Sequence, residues 1–85
     1  MAFHRIKLFA LSTCSHCKAA EKLLKRYDDD VEIVNVDRLD KADRGAVLQE
    51  VKQHNPRITF PTTVIDGKAI VGYKADQIKK ALASD

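Results

Sequence analysis

The amino-acid sequence excludes much by what it lacks. No apolar run approaches the ~18 residues of a membrane span, so neither a membrane span nor a membrane partner is expected. Neither a glycine-rich phosphate loop, a Ser/His/Asp order nor a paired-acid arrangement is evident, which leaves most other enzyme classes without a foothold. Basic residues form no aromatic-interleaved stripe, and a formal charge of +3 is mild. Nucleic acid is therefore not an expected partner. The opening residues Met1-Ala2-Phe3-His4-Arg5-Ile6-Lys7 scatter charge among apolar positions and lack a small-residue cleavage site, unlike a signal peptide. A cytoplasmic location is expected. There are no repeats, low-complexity tracts or linker-like segments. Only two cysteines occur among 85 residues, too few to staple a small secreted domain.

What is present is ordinary for a globular protein: 45% of residues are apolar and 32% charged. A chain of this length forms one small domain, residues 1–85, burying ~60–65% of the surface that its unfolded form exposes. Its distinguishing feature is Cys14-Ser15-His16-Cys17. In a reducing cytosol such a pair points to redox catalysis or metal binding, not to a structural bridge. The pair stands where an extended stretch gives way to an amphipathic helix. At the first helical turn, unpaired backbone N–H groups and the positive end of the macrodipole favour a thiolate, so Cys14 is predicted to be a nucleophile. Cys17 lies one turn later on the apolar stripe and is predicted to be shielded, acting second as the resolving thiol. His16 has two readings: an imidazole that further stabilises the thiolate, or a solvent-facing spacer. A zinc site would use both cysteines and two of His4, His16 and His54, but no second ligand pair has regular spacing. No metal is expected, and the histidines are read as surface residues.

The chain divides into recognisable elements. His4 to Ala10 reads as a central strand covered on both faces. Ser12 and Thr13 are candidate caps for the next helix, whose inward positions are Cys17, Ala20, Leu23, Leu24 and Tyr27. Lys18, Lys22, Lys25 and Arg26 occupy another face, either simply solvated or steering an acidic partner such as a reductase. Asp28-Asp29-Asp30 ends the helix by repulsion at its negative pole. Val31 to Val36 is a second strand, joined to the first by a right-handed parallel crossover. Asp40 is predicted to cap a second helix carrying Ala42, Val47, Leu48 and Val51 and ending near His54-Asn55-Pro56. Thr62 to Ile65 and Ala69 to Val71 form a hairpin around Asp66-Gly67-Lys68. Gly72 ends it, and a last helix begins near Ala75, with Asp76 in its first turn and Ile78, Ala81 and Leu82 facing inward. The resulting order is βαβ-α-ββ-α, an α/β chain.

These residues together, with Thr59-Phe60-Pro61 and Gly72-Tyr73, resemble the glutaredoxin branch of the thioredoxin-like fold over nearly the whole chain. The resemblance implies a four-stranded mixed sheet with three helices and with the first strand between the second and third. It implies a cis Pro61 beside the thiols, with Phe60 offering backbone groups to a substrate chain that docks as an added strand. Tyr73 and Asp76 are expected to line the same groove. The usual basic residue three positions before the first cysteine is replaced by Leu11. Val71-Gly72 and Lys74-Ala75-Asp76 stand where glutathione-using members carry paired glycines and an acidic pair. Lys7 and Arg57 are the cations available to compensate. The stretch Gly72-Tyr73-Lys74-Ala75-Asp76 is closer to the glutaredoxin-like redoxins that serve ribonucleotide reductase and are recharged by thioredoxin reductase.

The expected activity is therefore thiol–disulfide exchange on protein or small-molecule disulfides by a monomer. No tightly bound cofactor is expected, and glutathione or thioredoxin reductase would supply electrons. Ser15, standing where proline is common, keeps an alternative open. Some serine-containing glutaredoxins bridge two chains through a [2Fe–2S] cluster with glutathione, since one chain offers too few thiolates.

Overall fold

A computed structural model describes residues 4–27 and 31–83. Strand β1, Ile6–Ala10, is buried at four of its five positions, as a strand covered on both faces must be. Helix α1 (Ser15–Tyr27) leads to β2 (Glu32–Asn35), a 3-10 helix at Val36–Arg38 and α2 (Lys41–His54). Strands β3 (Thr62–Ile65) and β4 (Lys68–Val71) precede α3 (Ala75–Ala83). The four strands form one mixed sheet in the order β2-β1-β3-β4. β1 runs parallel to β2 and antiparallel to β3, with Leu8 opposite both Ile33 and Thr63. The strand order is the one the resemblance implies, and the parallel β1–β2 pair, the antiparallel hairpin and the central place of β1 are those expected from the residues.

Alternation along β1 divides the core in two. Ile6, Leu8 and Ala10 join Cys17, Ala20, Leu23 and Leu24 of α1 and Ile78 of α3 in one cluster. Lys7 and Phe9 point the other way, toward α2, where the Lys7 ammonium meets the Glu50 carboxylate at 2.9 Å and Glu32 at 3.6 Å. Two layers of helix thus sandwich the sheet. The β3–β4 turn has left-handed φ at both central residues, Asp66 (51°) and Gly67 (84°), the geometry that matches strand twist in a two-residue hairpin. The Asp40 carboxylate caps α2 by accepting the Asp43 N–H at 2.9 Å.

Several expectations are corrected. Tyr27 does not face inward: it is 53% exposed, because the apolar stripe of α1 leaves the core before the helix ends. Ala42 is also exposed, in the first turn of α2. Ser12 and Thr13 do not cap α1. Cys14 takes that place, its carbonyl accepting the Lys18 N–H at 3.1 Å, while the Ser12 side chain turns to Asp37. β1 begins at Ile6 because His4 leaves the ladder. One His4 ring nitrogen meets an Asp66 carboxylate oxygen at 2.6 Å and the other meets the Leu82 carbonyl at 3.1 Å, so His4 is an anchor between the hairpin and α3. The readings made for Met1 to Phe3 and for Asp28-Asp29-Asp30 lie outside the described residues. Among the described residues no helix is long and apolar enough to cross a membrane.

Candidate functional site

Strand directions bring three chain segments to one end of the sheet. The end of β1 leads into Cys14, β3 starts just after Pro61, and β4 finishes at Val71, before Tyr73. Thr62 pairs with Phe9 on one side and Val71 on the other. The Gly72 N–H, on a residue with φ of 83°, donates to the Pro61 carbonyl at 2.8 Å. The Phe60–Pro61 bond is cis.

Cys14 stands at the threshold of α1. Its N–H donates to the Leu11 carbonyl at 3.1 Å, closing the turn that delivers it. Its Sγ accepts the Cys17 N–H at 3.2 Å, so an otherwise unpaired amide of the first helical turn is spent on the sulfur. The Cys14 pKa is held below the usual thiol range, chiefly by a hydrogen bond from the Cys17 thiol and further by the backbone N–H groups of Cys17 and His16; partial burial opposes them. Cys14 remains partly exposed, and both cysteines are free thiols. A reachable thiol whose ionisation is favoured is suited to nucleophilic attack.

Cys17 has the opposite surroundings. It is 2% exposed, and burial pushes its thiol up to about 12, with the hydrogen bond to Cys14 and the nearby charges of Cys14 and Asp37 adding to the rise. Only the Leu11 backbone favours its ionisation. One turn of helix therefore separates a thiol whose ionisation is favoured from one whose ionisation is opposed, and each helps to set the pKa of the other.

The remaining candidates divide. His16 is exposed, and its contribution to the Cys14 thiolate is made by its backbone N–H. Pro61 is buried and Phe60 half-buried, the latter packed against the same apolar cluster as Cys14. Tyr73 is 38% exposed, and Asp76 is exposed in the first turn of α3. Lys7 belongs to the other face of the sheet, held by Glu50 and Glu32 and lying over the Phe9 ring, so it is not a free cation at the thiols. Arg57 is exposed in the loop before Pro61. Lys18, Lys22, Lys25 and Arg26 are all exposed, Lys25 beside Glu21 at 3.4 Å. A groove of about 510 Å³ is lined by Cys17 together with Leu11, Ser12, Lys18 and Arg38 among others. Among the described residues no group of three or more His, Cys, Asp or Glu side chains could hold a metal ion. A cluster bridging two chains would draw one thiolate from each, and of the two thiols here Cys14 is the partly exposed one while Cys17 is buried.

Two supports of the site escaped the sequence reading. Asn55, buried at the end of α2, donates through Nδ2 to the Thr59 carbonyl (3.2 Å), Thr59 Oγ1 (2.9 Å) and Thr62 Oγ1 (3.0 Å). The Thr62 hydroxyl then donates to the Thr59 carbonyl at 2.7 Å, so the segment carrying Phe60 and Pro61 is tied on both sides. Within that loop Ile58 has φ of 50°, a costly conformation for a β-branched residue, and its N–H is held by the Asn55 carbonyl at 2.9 Å. Asp37 is the other support, accepting two hydrogen bonds from Ser12. An asparagine after a helix and an acid after a strand carry no spacing signal of their own.

Comparison with known proteins agrees with this geometry. The Glutaredoxin family profile matches residues 6–70. The Methanosarcina acetivorans methanoredoxin structure is 41% identical, spanning 94% of this chain and 85% of that one, with a TM-score of 0.88. The glutaredoxin from Methanosarcina mazei Go1 is 37% identical over 96% of this chain and 87% of that one, with a TM-score of 0.80. An uncharacterized glutaredoxin-like 8.6 kDa protein in the rubredoxin operon of Clostridium pasteurianum is 31% identical, covering 91% of this chain and 96% of that protein.

Proposed function

The chain belongs to the glutaredoxin family, and from that premise we propose that it reduces disulfides by exchange through Cys14 and Cys17 in a reducing cytoplasm. The observation that carries the reading is the opposed pair of sulfurs, Cys14 reachable and met by the Cys17 N–H at 3.2 Å, Cys17 buried one turn away, with ionisation favoured at the first and opposed at the second. The Cys14 thiolate attacks a substrate disulfide, forming a mixed disulfide and expelling one substrate thiolate. Cys17 gives up its proton and attacks the Cys14 sulfur, which closes the protein disulfide and releases the second substrate thiol. Two electrons have passed from the dithiol to the substrate.

Phe60, next to Pro61, offers backbone groups to an extended substrate, and Tyr73 and Asp76 are assigned to the same docking edge. An external thiol or a reductase must then return two electrons to the protein. With Leu11 uncharged and Lys7 held by Glu50, exposed Arg57 is the remaining compensating cation for a glutathione carboxylate, while the basic face of α1 offers an acidic reductase a docking surface.

The test supplies oxidised protein with NADPH and either thioredoxin reductase or glutathione plus its reductase, following NADPH loss with a small disulfide substrate. Turnover with either system, abolished by Cys14→Ser, supports dithiol exchange, and the productive arm identifies the donor. Turnover that survives in Cys14→Ser, or none in either arm, sinks the proposal. Cys17→Ser is expected to stall at the mixed disulfide, visible as a mass increase on Cys14.

A further inference from the structure

Ser12, two residues before the nucleophile, is fastened to a different element. Its N–H donates to one carboxylate oxygen of Asp37 at 2.9 Å, and its hydroxyl donates to the other. Asp37 lies in the 3-10 helix just past the end of β2, 25 residues away in sequence. Both oxygens of one carboxylate are thus committed to one residue of the loop, a two-point contact that fixes orientation as well as distance.

That loop does the placing at the thiols. The Leu11 carbonyl accepts the Cys14 N–H, and the Leu11 backbone also faces the Cys17 sulfur. Downstream, the Cys17 N–H reaches the Cys14 sulfur. Leu11, Ser12 and Cys14 form one turn, and Asp37 holds its middle. Were the turn free to swing, the sulfur of Cys14 would leave the amides of the first helical turn.

We propose that Asp37 is a positioning residue for the dithiol: by clasping Ser12 it locks the Leu11–Cys14 turn to the end of β2 and keeps the Cys14 sulfur on the helix-tip amides. The assignment rests on the exchange reading given above. Its test is the reactivity of a single thiol, which needs neither substrate nor electron donor, so failure of one does not imply failure of the other.

Asp37 also carries charge, beside Arg38 and near Cys17, and removing that charge alone would ease thiol ionisation. Two substitutions separate clasp from charge. Asp37→Asn loses the charge but keeps an oxygen for the Ser12 N–H, whereas Asp37→Ala loses both. The rate of iodoacetamide attack on Cys14 is followed by mass spectrometry across a pH series, one pKa unit being tenfold in thiolate below the pKa. Asp37→Ala is expected to react at neutral pH at least about threefold more slowly than Asp37→Asn, with its pH profile displaced upward, as a lost half-unit would give. Equal rates and superimposable profiles would overturn the assignment. If Asp37→Ala fails to fold by far-ultraviolet circular dichroism, Ser12→Ala decides. It keeps the charge and the Ser12 N–H contact but loses the hydroxyl, and it must then react more slowly than the wild type, with an upward-displaced profile; an unchanged rate overturns the proposal.

Discussion

The backbone N–H of Cys17 points at the sulfur of Cys14 across 3.2 Å. The amide therefore serves a sulfur of the same helix turn, and it serves the anion better than the thiol. That contact makes reactivity at Cys14 depend on main chain, with consequences for its neighbours.

His16→Ala keeps the backbone N–H that His16 contributes to Cys14. The variant is expected to alkylate at Cys14 within about twofold of the wild-type rate at neutral pH, since one pKa unit would appear as tenfold. A tenfold slower reaction would mean that the imidazole itself holds the thiolate.

Cys17 sets an alkaline limit on the reduced protein. Its folded pKa, pushed up to about 12, lies above that of an unfolded thiol, so at alkaline pH the unfolded chain gives up a proton that the native state keeps. The unfolded state then binds fewer protons, and stability falls as pH rises from the ordinary thiol range toward that value. Urea midpoints measured from neutral pH to about pH 10 should decline more steeply for the reduced wild type than for Cys17→Ala. Parallel declines would show that Cys17 ionises alike in both states.

Asp40→Ala removes the acceptor for the Asp43 N–H at the start of α2. A loss of about 1 kcal/mol is expected from its urea midpoint, with Cys14 alkylation unchanged because Asp40 takes no part at the thiols. A change in alkylation without a change in midpoint would contradict this separation.

Thr63 is fully buried, and its hydroxyl has no hydrogen-bond partner among the described residues. Thr63→Val replaces an unsatisfied polar atom with a methyl of similar size and should raise stability by about 1 kcal/mol. A fall in melting temperature would reveal a partner for that hydroxyl.

Much of the fold was legible because its signals are local. The β1 run, the three- and four-residue spacing of Cys17, Ala20 and Leu24, the Asp40 cap and the Asp66-Gly67 turn each express a geometry that repeats within a few residues. Tyr27 shows the boundary of such reasoning: its helical phase is right, but phase says nothing of where the core stops. Ser12 shows another. A serine before a helix is a good cap by type, yet a carboxylate from another element takes its hydrogen bonds.

By itself the sequence determined the cysteine pair at a helix start, the order of elements and the parallel crossover, because period, capping and turn chemistry act between near neighbours along the chain. Tertiary structure alone decided that Asp37 holds Ser12, that Asn55 ties down the loop before Pro61, and that Lys7 is spent on Glu50 behind the sheet. Each of those contacts joins different elements or segments. Side-chain hydrogen bonds of this kind depend on where the packed layers bring donor and acceptor, and no spacing along the chain encodes that meeting.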